Sequence, residues 1–366
     1  MTKELSDLII STPGRICLFG EHQDYLNLPV IASAISLRIS VEGHKRDDAQ
    51  VVIHLPDINA EESFSLAKPI AYDKDRDYLK SVVNVLKRHG VKFSRGVECT
   101  VHGEIPINAG TSSSSALIVG WVNFMAKMSD PNPVHLSPET IAEYSYEAEV
   151  LEFSEPGGMM DQYSTSIGGI IFLDSVPKIQ VIKLDAKLGT LVLGNSGEPK
   201  DTKFILARVK NQIQKVVKEL QKSHPEFSLR TVSESGIAAY ASSLTDAQAE
   251  LLRGTVRNRD ITMRALKALT ETPLDHSLIG SLMNDHQAVL RDILKISTPK
   301  IDRMIEAALS AGAEGGKING SGGGGCMFAY APENSQKVKA AIEKEGGEAY
   351  IVAVDDGTRS SVKEAA

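Results

Sequence analysis

Residues 106–117 read PINAGTSSSSAL, in which a glycine and four consecutive serines precede an apolar segment. Serine is unfavourable inside helices because its hydroxyl competes for backbone hydrogen bonds, but it is among the best residues at a helix start. The stretch therefore predicts a buried helix that runs from Ser112 to about Met128. A flexible linker is the alternative interpretation of the serine run, and the apolar segment behind it argues against one.

A helix start of this kind also offers hydrogen-bond donors to a phosphate group. Glycine lets the backbone approach a ligand closely, and a helix N-terminus presents unpaired N–H groups and a partial positive charge. The stretch lacks the Gly-Lys-Ser/Thr ending of a P-loop and the GxGxxG spacing, so neither standard nucleotide motif applies. The candidate phosphate-binding residues are Gly110, Ser112, Ser113, Ser114 and Ser115.

The composition is that of a soluble globular protein. Hydrophobic residues make up 42% and charged residues 24% of the 366 residues, a length sufficient for two domains. The net charge of −7 provides no general attraction to nucleic acid or to an anionic membrane, and no apolar run is long enough to span a bilayer. Three widely spaced cysteines and the absence of a signal-peptide pattern favour a cytoplasmic location.

The secondary-structure pattern changes along the chain. The first half mixes β-branched segments with segments of helical spacing, whereas four long segments of helical spacing dominate the second half. This shift predicts a domain boundary near residue 190 and hence units of 1–190 and 191–366. Residues 315–332 read GGKINGSGGGGCMFAYAP, which we interpret either as a flexible connector or as backbone packed closely against another element.

Residues 13–25, PGRICLFGEHQDY, place three charged residues and a histidine within an apolar, strand-rich stretch. A buried charge is unfavourable unless it is paired or faces a site, so Arg15, Glu21, His22 and Asp24 are candidate site residues. Carboxylates and an imidazole suit a polyhydroxylated ligand, because each sugar hydroxyl both donates and accepts. The alternative is a surface hairpin with solvated charges.

A third acidic candidate, Asp161, follows two glycines and two methionines in EPGGMMDQ. A carboxylate in such surroundings could orient or deprotonate a hydroxyl. Four glutamates precede it on or just after the second helix, which is predicted from Ser137 to about Phe153: Glu147, Glu149, Glu152 and Glu155. Glu149 is the best candidate to turn inward, although helical periodicity does not distinguish it from the others.

Taken in order, these stretches resemble the superfamily of galactokinase, homoserine kinase, mevalonate kinase and phosphomevalonate kinase (GHMP kinases). PGRICLFGEHQDY resembles the galactokinase signature, PINAGTSSSSA the phosphate loop, and KINGSGGGGC the third, glycine-rich motif. EAEVLEFSEPGGMMDQ is similar to the galactokinase stretch in which a glutamate precedes the aspartate of GxMDQ by twelve residues, as Glu149 precedes Asp161. The resemblance implies an α+β GHMP kinase fold with an N-terminal domain like ribosomal protein S5 domain 2, a C-terminal ferredoxin-like domain, and a cleft between them.

The resemblance also implies roles for individual residues. The serine run would bind the phosphates of ATP, and Ser114 and Glu149 would hold Mg²⁺. Asp161 would be the catalytic aspartate, faced by Arg15. The positions that match sugar-binding residues of galactokinases are Arg15, Glu21, His22, Asp24, Gly158 and Asp161. The implied activity is an ATP-dependent kinase that phosphorylates a sugar, galactose or a related monosaccharide, at its anomeric hydroxyl.

Two alternatives remain open at the level of sequence. The segment GNSGEPKDTKF lacks the tyrosine pattern of galactokinases and looks more like that of mevalonate kinases, and Gln23 replaces the threonine of GEHTDY. Mevalonate kinases usually carry GEHxVVxG, however, so Asp24 favours a sugar. A catalytically silent sugar or ATP sensor is the alternative from another class, and the intact serine run, Glu149 and Asp161 favour the enzyme. The predicted partners are sugar and ATP, with neither nucleic acid nor membrane, for a monomer or a homodimer.

Overall fold

The computed structural model describes residues 7–107, 110–199 and 202–362, so residues 108–109 of the serine-rich stretch lie outside the described residues. The strands are β1 (Leu8–Phe19), β2 (Val30–Lys45), β3 (Gln50–Leu55), β4 (Ala60–Ser65), β5 (Val97–Gly103), β6 (Ile170–Asp174), β7 (Gln180–Leu184), β8 (Thr190–Asn195), β9 (Gly315–Ile318), β10 (Cys326–Tyr330), β11 (Glu348–Ala353) and β12 (Arg359–Val362). The helices are α1 (Tyr78–Arg88), α2 (Ser113–Lys127), α3 (Pro138–Tyr146), α4 (Met160–Ile167), α5 (Thr202–Ser223), α6 (Asp246–Thr270), α7 (His276–Ala288), α8 (Pro299–Ser310) and α9 (Ser335–Lys344).

The first sheet is mixed and has the order β12-β1-β2-β5-β3-β4, with β6 and β7 extending from one end of β2. The long strands β1 and β2 are antiparallel, whereas β3 pairs with β5 in parallel. Helix α2 packs across β1 and β2 because its residues are apolar on nearly all sides. Its buried Trp121 stacks on Phe124 and donates its indole N–H to the carbonyl of Leu79, at 2.9 Å, which also attaches α1.

The second sheet is antiparallel throughout, in the order β11-β8-β10-β9. Along the chain, β8 is followed by helices, β9 and β10 form a hairpin, and α9 precedes β11. This is the connectivity of a ferredoxin-like domain, with the first and third of its strands adjacent in the centre. The two-domain α+β fold predicted from the sequence is therefore confirmed.

A strand near the C-terminus crosses from the second half of the chain to the first sheet. Strand β8, which starts at Thr190, is the first strand of the second sheet, yet β12 returns from the second half to pair with β1. Arg38 of β2 supports this return by donating to the Asp355 carboxylate, at 2.7 Å, and to the carbonyl of Gly357, at 2.8 Å. The predicted division into 1–190 and 191–366 remains a prediction, and β12 is the segment that crosses it.

The end of β1 packs into the second sheet. Phe19 and Ile16 share one apolar cluster with residues of β8 and β10, among them Leu193 and Phe328. The fully buried ammonium of Lys317, in β9, forms an ion pair with Glu21 and donates to the carbonyl of Cys17 at 3.0 Å.

The glycine-rich segment after β9 is packed backbone rather than a flexible connector. The N–H of Gly323 donates to the carbonyl of Ile296 at 2.7 Å. A Cβ atom on Gly320, which has φ +74°, would lie 2.9 Å from the carbonyl oxygen of Gly110. Asn319 donates to that same carbonyl, at 2.8 Å, so the segment lies directly against the phosphate loop. Among the described helices, none is both long and apolar enough to cross a membrane.

We expect Lys317→Met to destabilise the fold strongly, because it leaves the Glu21 carboxylate buried without its cation. Breaking a buried pair from one side typically lowers the free energy of unfolding by about 3–5 kcal/mol. The control is Lys339→Met, which removes an exposed helical pair with Glu343 and should change stability by less than about 0.5 kcal/mol. Urea denaturation of both variants measures the difference, and equal small losses would contradict the role given to Lys317.

Candidate active site

A cavity of about 320 Å³ opens where β1, the start of α2, the start of α4 and the glycine-rich segment meet. Every site residue predicted from the sequence lines it. These residues are Arg15, Glu21, His22, Asp24, Gly110, Ser112, Ser113, Ser114, Ser115, Glu149, Gly158 and Asp161. The structure thus brings the four motifs together in one place, while the role of each residue remains a prediction.

Arg15 and Asp161 form the centre of the cavity. The guanidinium donates from Nε to Oδ1 and from Nη2 to Oδ2 of Asp161, both at 2.8 Å, and from Nη1 to the carbonyl of Gly110 at 2.6 Å. Burial opposes the charge of Arg15, but the adjoining Asp161 carboxylate outweighs it and raises the pKa of Arg15 above its ordinary value. The pair is bidentate and therefore defines the orientation of the carboxylate.

The phosphate loop enters α2 through two residues in the left-handed region, Gly110 at φ +87° and Ser112 at φ +58°. The Ser112 side chain does not cap the helix, and its hydroxyl donates instead to Oδ2 of Asp161 at 2.6 Å. Ser113 and Ser114 begin the helix, where N–H groups have no acceptor within the helix itself. The helix start and its serine hydroxyls therefore form a cradle of donors suited to an anion.

Glu149 is placed beside this cradle by a wider helical turn, Glu147–Leu151, which continues α3. It accepts hydrogen bonds from the Ser114 hydroxyl at 2.9 Å and from the Gln162 amide at 2.6 Å. Burial, with a smaller contribution from the charge of Asp161, raises the pKa of Glu149 to about 7.

The other three glutamates have different partners. Glu147 and Glu152 pair with Arg88 at the surface, and Glu155 pairs with Arg76. Among the four glutamates that periodicity could not separate, Glu149 is the one that contacts the phosphate loop.

Asp24 lines the same cavity from the turn that follows β1. Its carboxylate accepts the backbone N–H groups of Tyr25, at 2.9 Å, and Met160, at 3.3 Å. A Cβ atom on Gly158 would lie 2.0 Å from Oδ2 of Asp24, so the close approach of these two segments requires glycine. Burial, and then the nearby charge of Asp161, raises the pKa of Asp24 to about 6.

Glu21 and His22 are tied to the second half of the chain. His22 contacts the Tyr25 hydroxyl through Nδ1, at 2.6 Å, and the carbonyl of Ser321 through Nε2, at 3.1 Å. Oε1 of Glu21 is paired with Lys317, and Oε2 lies 3.7 Å from Nε2 of His286. Burial holds the pKa of His286 well below its ordinary value, so this imidazole is neutral.

The sequence analysis did not identify these partners. Lys317 had a detectable signal, because it is the single charged residue in the stretch 315–332. Arg76 and Lys203 had none, yet both line the mouth of the cavity and pair with Glu155, through a bidentate contact at 2.8 Å and an approach of 3.5 Å respectively.

The cavity contains hydrogen-bond donors at a helix start, a carboxylate beside them and a second carboxylate held by an arginine. This combination of groups is that of a small-molecule phosphotransferase. Three family models match the chain: GHMP kinases N terminal domain over residues 77–169, GHMP kinases C terminal over 263–348, and the galactokinase galactose-binding signature over 2–45. The chain belongs to the GHMP kinase superfamily, and within it carries the galactokinase signature.

Mevalonate kinases and galactokinases are among the proteins to which the chain is similar. The chain is 29% identical to a mevalonate kinase of Pyrococcus abyssi, over 95% of each chain, and 27% identical to a galactokinase of Clostridium beijerinckii, over 97% of this chain and 95% of the relative. Its fold matches Lactococcus lactis galactokinase complexed with galactose with a TM-score of 0.85, at 23% identity and 98% and 95% coverage. The Methanococcus jannaschii mevalonate kinase matches with a TM-score of 0.73, at 19% identity and 97% and 100% coverage.

We expect Glu149→Gln to alter how stability depends on pH. Below pH 7 the folded wild type retains a proton that the unfolded chain has lost above about pH 4.5, so wild-type stability falls as pH rises through this window. The glutamine of the variant does not titrate, so the variant does not lose stability in this way. The unfolding temperature of the variant minus that of wild type should therefore increase from about pH 5 to pH 8 in magnesium-free buffer.

Glu152→Gln is the control. Hydrogen bonding to Arg88 lowers the pKa of Glu152, so the stability it contributes is lost only below its ordinary range. Its difference from wild type should stay constant over the same interval. Differential scanning calorimetry at several pH values measures both variants, and parallel curves would show that Glu149 is not protonated near neutrality.

Proposed function

We propose that this chain is an ATP-dependent sugar kinase that transfers the γ-phosphoryl group to the anomeric hydroxyl of galactose or a related monosaccharide. The observation that carries the proposal is the Asp161 carboxylate, which Arg15 holds beside the start of α2 in the cavity that Asp24 also lines. The match of residues 2–45 to the galactose-binding signature and the galactokinase relatives support the choice of a sugar.

Asp161 is positioned to accept the proton of the attacking hydroxyl. Oδ1 accepts from Nε of Arg15, and Oδ2 accepts from Nη2 of Arg15 and from the Ser112 hydroxyl, so the carboxylate is held beside the start of α2 in a fixed orientation. The hydroxyl oxygen forms a bond to the γ-phosphorus, the bond from that phosphorus to the β–γ bridging oxygen breaks, and ADP leaves. Arg15 stabilises the negative charge that accumulates on the transferred group.

The residues at the phosphate loop fit a magnesium ion. A serine hydroxyl and a carboxylate are oxygen ligands, and Mg²⁺ usually takes one or two such ligands from protein and the remainder from phosphates and water. Ser114 and Glu149 would hold it, since the two side chains already lie 2.9 Å apart. The ion would neutralise charge on the phosphates of ATP, and its own charge would favour the ionised form of Glu149.

The part of the cavity around Asp24 suits a neutral polyol. Asp24, His22 and the backbone at Gly158 line it, and Oε2 of Glu21 is buried with no hydrogen-bond partner among the described residues. A sugar hydroxyl can donate to such an oxygen, and a site with unpaired acceptors discriminates against analogues that lack the hydroxyl.

Mevalonate is the alternative acceptor, because several relatives are mevalonate kinases. A carboxylate-bearing acceptor would meet like charge in this part of the cavity, where Asp24 and Asp161 already repel each other enough to contribute to the raised pKa of Asp24. Lys203, which belongs to the segment that lacks the galactokinase tyrosine pattern, and Leu206 also line the cavity. The three buried cysteines form no disulfide among the described residues, which supports our proposal of a cytoplasmic location. We also propose that the protein is a monomer or a homodimer.

An ADP-release assay with MgATP and a panel of acceptors tests the proposal. The panel contains galactose, other hexoses and pentoses, 1-deoxygalactose and mevalonate. We expect turnover with one or more sugars and none with the 1-deoxy analogue. Exclusive use of mevalonate would replace the proposed activity with the alternative, and ATP binding without turnover on any acceptor would favour the sensor.

We expect Asp161→Asn to lower turnover by roughly two to four orders of magnitude, because an amide cannot accept the proton. Ser112→Gly is the matched variant: it removes the hydroxyl bonded to Asp161, permits the positive φ, and retains the base, so the loss should be less than about tenfold. Asp161→Asn leaves the buried guanidinium of Arg15 without its counter-charge, so the stability of this variant should also fall. Circular dichroism must therefore show that the variant is folded. Turnover of Asp161→Asn within tenfold of wild type would exclude Asp161 as the base.

A further inference from the structure

The turn that carries Asp24 is held from the second half of the chain by Arg230. This arginine lies in the segment between α5 and α6, outside every motif identified in the sequence. Its Nη1 donates to the carbonyl of Asn27 at 2.5 Å, and Nη1 and Nη2 contact the two carboxylate oxygens of Asp174 at 3.0 and 2.6 Å. Asp174 is the last residue of β6, so one guanidinium joins three separate segments.

The contact to Asn27 reaches Asp24 through the backbone. Asn27 has φ +58°, a conformation that asparagine adopts more readily than most residues, and its N–H donates to the carbonyl of Asp24 at 3.0 Å. Leu26 and Leu28 both donate to the carbonyl of Gln23, at 2.9 and 3.1 Å. The turn is therefore a closed, hydrogen-bonded unit, and whatever holds Asn27 also determines where the Asp24 carboxylate lies.

Two further contacts attach the same turn to the helical part of the second half. The side chain of Leu28 is buried in an apolar cluster with Ile213 and Phe227. Lys210 of α5 lies 5.5 Å from the centre of the Tyr25 ring. The turn is therefore held by contacts with the second half of the chain, although β1, the strand that precedes it, belongs to the first sheet.

We propose that Arg230 is a positioning residue for acceptor binding, which holds the Asp24 turn at the distance from Gly158 and Asp161 that the acceptor requires. The inference rests on the proposed function, because Asp24 is an acceptor contact in that proposal. Arg230 is not among the residues that line the cavity. Its pair with Asp174 is partly exposed, at 33% and 14% of the two side chains, so it contributes little to global stability and acts locally.

The test compares Arg230→Gln, Arg230→Lys and the control Arg38→Gln. Arg38 is a matched choice because it also joins distant segments through several hydrogen bonds, yet it does not line the cavity. We expect Arg230→Gln to raise the KM for the acceptor about tenfold, an effect of the size that residues without ligand contact can produce, and to change the KM for ATP by less than about twofold. Arg230→Lys, which can keep one contact but not the fork, should be intermediate.

Amide hydrogen exchange provides a readout that needs no acceptor. The N–H groups of Leu26, Asn27 and Leu28 are hydrogen-bonded within the turn and should exchange faster in Arg230→Gln, but at the wild-type rate in Arg38→Gln. Unchanged exchange in Arg230→Gln would show that Arg230 does not hold the turn. Faster exchange with an unchanged acceptor KM would show that the turn is held without consequence for binding, which also overturns the proposal.

The same experiment separates the proposal from the proposed function. If wild type phosphorylates mevalonate and no sugar, the proposed function fails, while the acceptor KM and the exchange rates still decide the role of Arg230. An equal rise of the acceptor and ATP constants would indicate a general loosening of the cleft and would overturn the inference.

Discussion

The buried guanidinium of Arg15 is the group on which the site depends. A cation in the interior is tolerated only with a counter-charge and with acceptors for its remaining N–H groups. Asp161 supplies the charge from the start of α4, and the Gly110 carbonyl supplies an acceptor from the phosphate loop. Because the Arg15 side chain contacts both groups at once, the positions of β1, α4 and the phosphate loop relative to one another are fixed. This arrangement also orients the Asp161 carboxylate, which we propose as the base.

The same requirement joins the two halves of the chain. Glu21 follows β1 by two residues and is buried, so it needs a cation, and Lys317 of β9 provides one. Asn319, two residues further, accepts the N–H of Cys17 at 2.9 Å and donates to the Gly110 carbonyl. The glycine-rich segment can approach this closely because it has no side chains in the way, which explains why glycines and a buried lysine occur in one short stretch.

Much of the fold and of the site could be predicted because the relevant signals are local. Helix α2 begins at Ser113, within one residue of the predicted start, and the charges placed in apolar surroundings all line one cavity. Helix α4 was not predicted, because the glycines and methionines before Asp161 are typical of a loop. The orientation of the Asp161 side chain follows from its contact with Arg15, which is distant in the sequence. The partners were missed for a different reason: Glu21 and Lys317 are 296 residues apart, and neither local spacing nor composition encodes such a pairing.

Residues with strained backbone conformations are concentrated around the cavity. Several non-glycine residues at positive φ lie in or beside the cavity: His22 at +62°, Asn27 at +58°, Arg76 at +57°, Ser112 at +58° and Ser154 at +51°. Each such residue is unfavourable by itself and persists because its surroundings over-determine it. Ser112 is held by its bond to Asp161, His22 by Tyr25 and Ser321, and Asn27 by Arg230. The contacts that hold these strained residues also fix the phosphate loop and the Asp24 turn before any ligand binds, so less conformational entropy is lost on binding.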